Sequence, residues 1–226
     1  MPCLSVIIPA YNEQYTIESL LNKIDAVKID KEIIVINNGS TDRTQEILDG
    51  LKIPCLKVVS LQKNIGKGGA FRTGLKNAVG DIVIIQDADL EYDPRDYSKL
   101  IQPILDNQCD FVLGVRFSKG YKGLFFHQQG NRFLTWFMNL LYASRLNDVL
   151  TCYKASKREI FNSLDLKSSD FAIEPEIVSK ILKKDLRILE VPVSYHPRSY
   201  SEGKKIRIKD AFTIIVKMII LRLFWR

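Results

Sequence analysis

Histidine and clustered cysteine are what this chain has least of. It carries two histidines, His127 and His196, and four cysteines, Cys3, Cys55, Cys109 and Cys152, with no CxxC pair among them. That spacing argues against a zinc site and against a disulfide framework; reduced, mostly buried thiols are expected instead. The two histidines are too isolated to suggest a metal centre. No secretory signal is read, because Met1 leads straight into the strand-like Leu4-Ser5-Val6-Ile7-Ile8. There is no internal repeat and no low-complexity tract. A cytoplasmic protein is expected.

What is present points to a folded globular chain. Of its 226 residues, 46% are apolar and 26% charged, the balance of an ordinary domain whose core needs no disulfide staples. The formal net charge is +7, with lysine and arginine concentrated in the second half. Anionic lipid and phosphorylated substrates fit that excess. Neither zinc-finger spacing nor an aromatic RNA-binding signature accompanies it, so nucleic acid is not an expected partner.

The first half alternates apolar strands with helix-like segments, as in a parallel sheet covered on both faces. Strands are expected at Leu4–Ile8, Glu32–Ile36, Leu56–Leu61, Asp81–Gln86 and Asp110–Val115. Helices are expected over Thr16–Val27, Thr41–Leu51 (capped by Ser40 or Thr41), Gly69–Ala78 and Asp96–Asp106. Beyond Arg116 the alternation weakens. Ser118–Gly130 reads as a loop, Arg132–Tyr142 as an apolar helix, Lys157–Leu164 and Glu174–Lys183 as helices, and Leu186–Val191 as a late strand. One domain over 1–226 is expected, with a nucleotide-binding half (1–115), an acceptor-facing half (116–210) and a terminal helix (211–226).

Four polar turns follow four successive strands. They are Pro9-Ala10-Tyr11-Asn12-Glu13, Asn37-Asn38-Gly39-Ser40-Thr41-Asp42, Asn64-Ile65-Gly66-Lys67-Gly68-Gly69-Ala70 and Asp87-Ala88-Asp89. Right-handed crossovers bring such turns to one edge of the sheet, where open α/β folds bind ligands. Two carboxylates one residue apart at a strand end offer hard oxygen ligands to Mg²⁺ or Mn²⁺. Gly66-Lys67-Gly68-Gly69 is not a P-loop, because Lys67 is followed by glycine rather than serine or threonine.

In this order the motifs resemble family 2 glycosyltransferases of the GT-A fold, most closely the dolichyl- or polyprenyl-phosphate sugar synthases. The resemblance runs from about Ser5 to Lys205 and implies a Rossmann-like, mostly parallel α/β sheet. It implies that Pro9, Tyr11 and Glu13 line the nucleotide pocket, with Tyr11 against the base. Asn37 and Asn38 fall where the family usually has two aspartates, which leaves the nucleotide open. Gly66 and Gly68 would allow close approach to the nucleotide, with Lys67 nearby. Asp87 and Ala88 would border the ribose and the metal's shell, Asp89 would coordinate the ion, and Glu91 would assist it. Arg116 and Arg132 would hold the acceptor phosphate, since the guanidinium fork matches phosphate oxygens. Arg198, Lys204 and Lys205 would face the donor diphosphate.

The implied function is inverting transfer of a sugar from GDP-mannose or a UDP-sugar to a polyprenyl or dolichyl phosphate. Two alternatives remain at this point: a family 2 enzyme acting on a glycan or glycolipid hydroxyl, with Glu174 or Glu176 as base, and a non-catalytic sugar-nucleotide-binding subunit. Ala211–Trp225 is apolar but interrupted by Lys217 and Arg222, too short and too charged to span a bilayer that needs about 20 apolar residues. It is expected either to lie in the membrane interface, making the protein peripheral on the cytoplasmic face, or to pack on the protein's own core.

Overall fold

The computed structural model describes residues 3–116, 125–198 and 208–225. One seven-stranded sheet forms the centre, in the order β3-β2-β1-β4-β6-β5-β7. Its strands are β1 (Leu4–Ala10), β2 (Lys31–Asn37), β3 (Leu56–Ser60), β4 (Ile82–Ile85), β5 (Phe111–Val115), β6 (Lys154–Lys157) and β7 (Ile188–Pro192). All pairings are parallel except those of β6, which runs antiparallel between β4 and β5, with Ala155 opposite both Ile84 and Val112. The strands of β1, β2 and β4 are apolar runs, and Val6, Ile7, Ile8, Ile33, Ile34, Val35, Val83 and Ile84 are fully buried. Such runs suit strands covered on both faces.

The covering helices are α1 (Ile17–Asp25), α2 (Thr44–Gly50), α3 (Gly66–Asn77), α4 (Tyr97–Leu105), α5 (Phe125–Tyr142), α6 (Arg158–Ser163), α7 (Ile173–Lys183) and α8 (Ile208–Phe224). In α1 the buried residues Ile17, Leu20, Leu21 and Ile24 recur at helical spacing and turn one stripe to the core. The expected α/β class with a mostly parallel sheet is what the chain adopts.

Several expected boundaries are corrected. β6 has no counterpart in the sequence pattern, because Lys154-Ala155-Ser156-Lys157 shows neither an apolar run nor an in-out alternation. α5 begins at Phe125, so the expected loop 118–130 gives way to helix over its last residues, while 117–124 lie outside the described residues. α2 starts at Thr44 rather than Thr41. Neither Ser40 nor Thr41 caps it: Asp42 Oδ1 accepts the Thr44 N–H at 3.0 Å, while Ser40 Oγ accepts the Asn12 N–H at 3.0 Å and the Thr41 N–H goes to Asn12 Oδ1 at 2.8 Å. The turn after β2 is thus laced to the turn after β1. α3 begins at Gly66, three residues earlier than expected, because its first turn packs on the backbone of Ser168 and Ser169.

α8 packs on the domain with one face only. Ile214, Met218 and Leu221 are buried, Tyr142 Oη donates to the Met218 carbonyl at 3.1 Å, and Lys183 Nζ donates to the carbonyls of Leu221 and Arg222 at 3.3 and 3.1 Å. Phe212, Val216, Ile219, Ile220, Leu223 and Phe224 are exposed. Among the described residues no helix is long and apolar enough to cross a membrane.

Candidate active site

The turns after β1, β2 and β4 and the start of α3 meet at one edge of the sheet. Asp87, two residues past β4, is ion-paired with Lys67 at 2.7 Å. Lys67 also reaches Glu174 at 2.7 Å, and Glu174 in turn pairs with the fully buried Lys154 of β6. Four alternating charges therefore tie β4, α3, α7 and β6 together. Burial would raise Asp87, but the Lys67 ammonium beside it holds its carboxyl below the usual value. Burial would likewise lower Lys67, yet Asp87 and Glu174 hold its ammonium well above its ordinary value. Lys67 is a cation at any physiological pH.

Asp89 sits differently. Its Oδ1 accepts the Glu91 N–H at 3.1 Å. Burial, followed by the charges of Asp87 and Glu91, pushes its carboxyl up to about 7. A carboxylate in that position is an anion short of a cation. The next residue, Leu90, has φ 63°, a left-handed backbone that side chains other than glycine rarely adopt.

Glu91 faces a segment more than a hundred residues away in sequence. Its Oε2 accepts the Tyr195 hydroxyl at 2.7 Å, its Oε1 accepts the Arg198 N–H at 2.8 Å, and its carbonyl accepts the His196 N–H at 2.7 Å. The Arg198 guanidinium then spans the site, donating to the Asp89 carbonyl at 2.7 Å and to Glu13 Oε2 at 3.0 Å. Buried Asp96 fixes the start of this segment by accepting the Ser194 N–H at 2.5 Å. Lys204 and Lys205 lie outside the described residues.

Among the described residues, no three histidine, cysteine or acidic side chains converge as a closed metal cage. Mg²⁺ and Mn²⁺ sites at diphosphates do not need one, since one or two carboxylates plus substrate oxygens and water suffice. The cation-short Asp89 fits such an ion. Asp87 and Glu91 already have partners in Lys67 and in Tyr195 and Arg198.

Asn37 and Asn38 are buried and hold loops together. Asn37 Nδ2 donates to Gln45 Oε1 at 2.6 Å and its Oδ1 accepts the Ser40 N–H at 3.2 Å. Asn38 Nδ2 donates to Asn64 Oδ1 and the Gly66 carbonyl at 3.0 and 3.2 Å, while its Oδ1 accepts the Ile65 N–H at 2.9 Å. Aspartates have no N–H to make these three donated bonds, which explains an amide at each position. Pro9 and Tyr11 are half-buried at the end of β1.

The glycines at the start of α3 meet protein backbone. A Cβ on Gly66, whose φ is +79°, would lie 2.2 Å from the Ser169 carbonyl oxygen, and one on Gly68 would lie 2.4 Å from that of Ser168. The Gly69 N–H donates to the Ser169 carbonyl at 3.1 Å. This is why α3 starts early: its first turn is docked on the 168–169 loop. Glu176 pins that loop from the other side by accepting the N–H groups of Lys167 and Ser168 at 3.0 and 2.7 Å.

Arg116, just past β5, is paired through Nε and Nη2 with both oxygens of the fully buried Asp148, each at 2.7 Å, and lies 5.4 Å from the Tyr195 ring centre. Burial would lower its basicity, but Asp148 raises it well above the ordinary value. Arg132 is exposed on α5.

The sequence profile described as Glycosyl transferase family 2 matches residues 5–164. The chain belongs to that family. It is 28% identical over 242 residues to UDP-N-acetylglucosamine–dolichyl-phosphate N-acetylglucosaminyltransferase of Methanococcus voltae, covering 96% of this chain and 95% of that protein. It is 32% identical over 210 residues to dolichol-phosphate mannosyltransferase of Pyrococcus furiosus, covering 89% of this chain but 58% of that one. A low-salt glycan biosynthesis hexosyltransferase of Haloferax volcanii is 29% identical, with 87% of this chain and 48% of the relative covered. The chain thus spans about half the length of two of these relatives and nearly all of the third. A crystal structure of glucosyl-3-phosphoglycerate synthase from Mycobacterium tuberculosis with Mn²⁺, UDP-glucose and phosphoglyceric acid superposes with a TM-score of 0.74 at 24% identity, over 98% of this chain and 80% of that one. That likeness shows the fold, which is GT-A.

Within this family 2 chain, the fold gathers at one edge Asp87, Asp89, Glu91, Glu13, Lys67 and Arg198, all expected from the sequence. Lys154, Asp148, Tyr195 and Gln86 join the network without a signal of that kind. Lys154 and Gln86 sit in or beside strands and carry no motif. Asp148 is an isolated acid whose only signal is an arginine 32 residues earlier.

Proposed function

We propose that this chain is an inverting glycosyltransferase that moves a sugar from a nucleotide-diphosphate sugar to a polyprenyl or dolichyl phosphate at the cytoplasmic membrane surface. Two relatives whose names specify dolichyl phosphate support the acceptor class. The observation that carries the reading is the state of Glu174 and Glu176, the two acids that the sequence offers as a base for a hydroxyl acceptor. Glu174 is clamped between Lys67 and Lys154, and Glu176 is fully buried against Lys180 and the 167–168 backbone. A hydroxyl acceptor needs a base to take its proton, whereas a phosphate monoester is already anionic near neutral pH. A phosphate acceptor therefore suits the site.

The residues divide the work as follows. A divalent ion bound at Asp89, with Asp87 and Glu91 around it, would supply Lewis-acid neutralisation of the departing diphosphate. Arg198, bridged to Glu13 and the Asp89 carbonyl, and the lysines at 204 and 205 would add donors to the same oxygens. Tyr11, Pro9 and the Asn37-Asn38 turn would border the nucleoside. Arg116, oriented by Asp148, and Arg132 would hold the acceptor phosphate for in-line attack. The exposed apolar stripe of α8 would rest in the headgroup layer.

Incubation with UDP- and GDP-sugars, Mn²⁺ and a short polyprenyl phosphate tests this directly. The expected product is the sugar–phospho–polyprenol with inverted anomeric configuration. Transfer only to glycan hydroxyls, or hydrolysis alone, would overturn the acceptor assignment.

A further inference from the structure

Gln86 lies one residue past β4 and is fully buried. Its side-chain amide makes three hydrogen bonds. Oε1 accepts the hydroxyls of Tyr97 and Tyr153 at 2.8 and 2.7 Å, and Nε2 donates to the Asp87 carbonyl at 2.9 Å. Chemistry dictates these directions. A backbone carbonyl only accepts, so the amide NH₂ must face Asp87; Oε1 then faces the tyrosines, and both hydroxyls must donate. Burial raises both phenols well above their ordinary value, so both keep their protons.

The two tyrosines come from different elements. Tyr97 opens α4, and Tyr153 directly precedes β6, the strand that the sequence pattern conceals. Their rings lie 5.9 Å apart. Rotating the amide would set its oxygen against the Asp87 carbonyl and leave the two buried hydroxyl protons without an acceptor, a costly arrangement. Strand pairing of β4 ends at Ile85 against Ile7 and at Ile84 against Ala155. The Asp87 peptide therefore lies beyond the ladder, and a side chain holds it there.

We propose that Gln86 is a positioning residue: locked by Tyr97 and Tyr153, it fixes the Asp87–Ala88 peptide and so sets the direction of the Asp87 and Asp89 carboxylates, Asp89 toward a divalent ion on the donor diphosphate. This rests on the donor-site reading above. The amide supplies no chemistry itself. It sets the direction of a turn that already contains the left-handed Leu90.

Two variants separate positioning from mere core stability. Gln86→Met removes all three bonds, and should lower the melting temperature and weaken UDP or GDP binding in Mn²⁺ by about ten-fold. Adding Tyr97→Phe and Tyr153→Phe removes the two orphaned hydroxyls and leaves the Asp87 carbonyl as the one partner without its bond. The triple variant should recover most of its melting temperature while nucleotide affinity stays about ten-fold down. Hydrogen exchange of the nucleotide-free protein gives a second readout, with faster exchange across residues 87–92 expected in both variants. Recovery of affinity and of slow exchange in the triple variant would overturn the proposal, as would unchanged exchange in either. If the wild-type protein binds neither nucleotide but exchange loosens as expected, the donor reading fails and the positioning role stands.

Discussion

The Glu91 carboxylate accepts the Tyr195 hydroxyl and the Arg198 N–H together, at 2.7 and 2.8 Å. A segment more than a hundred residues later in the chain is thereby seated on the turn that follows β4. Glu91 is the seat that brings a guanidinium to the Asp89 carbonyl and Glu13.

That seating predicts a particular defect. Glu91→Ala should release Arg198 and weaken nucleoside diphosphate binding by about 1.5–3 kcal/mol, the usual size of a hydrogen bond to a charged group. Nucleoside binding should change little. Calorimetry with uridine or guanosine and the matching diphosphate measures both, and equal loss for the two ligands would place Glu91 elsewhere in function.

The Asp89 carboxyl, pushed up to about 7 by burial and then by Asp87 and Glu91, predicts a pH-dependent response to metal. Its folded value lies above the ordinary 3.8, so the folded chain binds this proton more tightly than the unfolded chain. Its contribution to stability is fully present at low pH and is lost as pH rises from about 4 to about 7. Mn²⁺ competes with the same proton, so its affinity should increase with pH up to about 7 and then level off. Thermal-shift titrations with Mn²⁺ and with excess chelator at several pH values read this out. Asp89→Asn should abolish both the metal shift and its pH dependence; a wild-type response flat with pH would contradict the assignment.

Arg116 and Asp148 form a buried pair with two matched contacts. Asp148→Ala should destabilise the fold by about 3–5 kcal/mol, because it strips a largely buried guanidinium of its matched carboxylate. Arg132→Ala, at an exposed site on α5, should leave stability within about 0.5 kcal/mol and raise the KM for polyprenyl phosphate with little effect on the donor. Chemical denaturation and steady-state kinetics check the two outcomes separately.

α8 uses one face for its own fold and offers the other. Truncation would strip Ile214, Met218 and Leu221 from the core, so point changes are the cleaner probe. Ile219→Asp with Leu223→Asp should leave the melting temperature near that of the wild type and abolish co-sedimentation with anionic liposomes. Added salt should weaken wild-type binding by screening its lysines and arginines. Retained binding by the double variant would remove α8 from the membrane reading.

The sequence alone determined the α/β alternation, the four polar turns at successive strand ends and the acids at Asp87, Asp89 and Glu91. Those features are local: apolar runs make buried strands, and turns that bind ligands need particular residue types side by side. It did not reveal β6, because Lys154 is buried against the Thr151 carbonyl and against Glu174, 20 residues further on. Nor did it reveal that Asn37 and Asn38 brace loops, that Gly66 and Gly68 dock on Ser169 and Ser168, or that Lys67 is locked to Asp87. Each depends on a partner distant in sequence whose identity carries no periodic signal. Tertiary structure decided which charges meet, since a buried ion is tolerated only where the fold delivers its counter-ion.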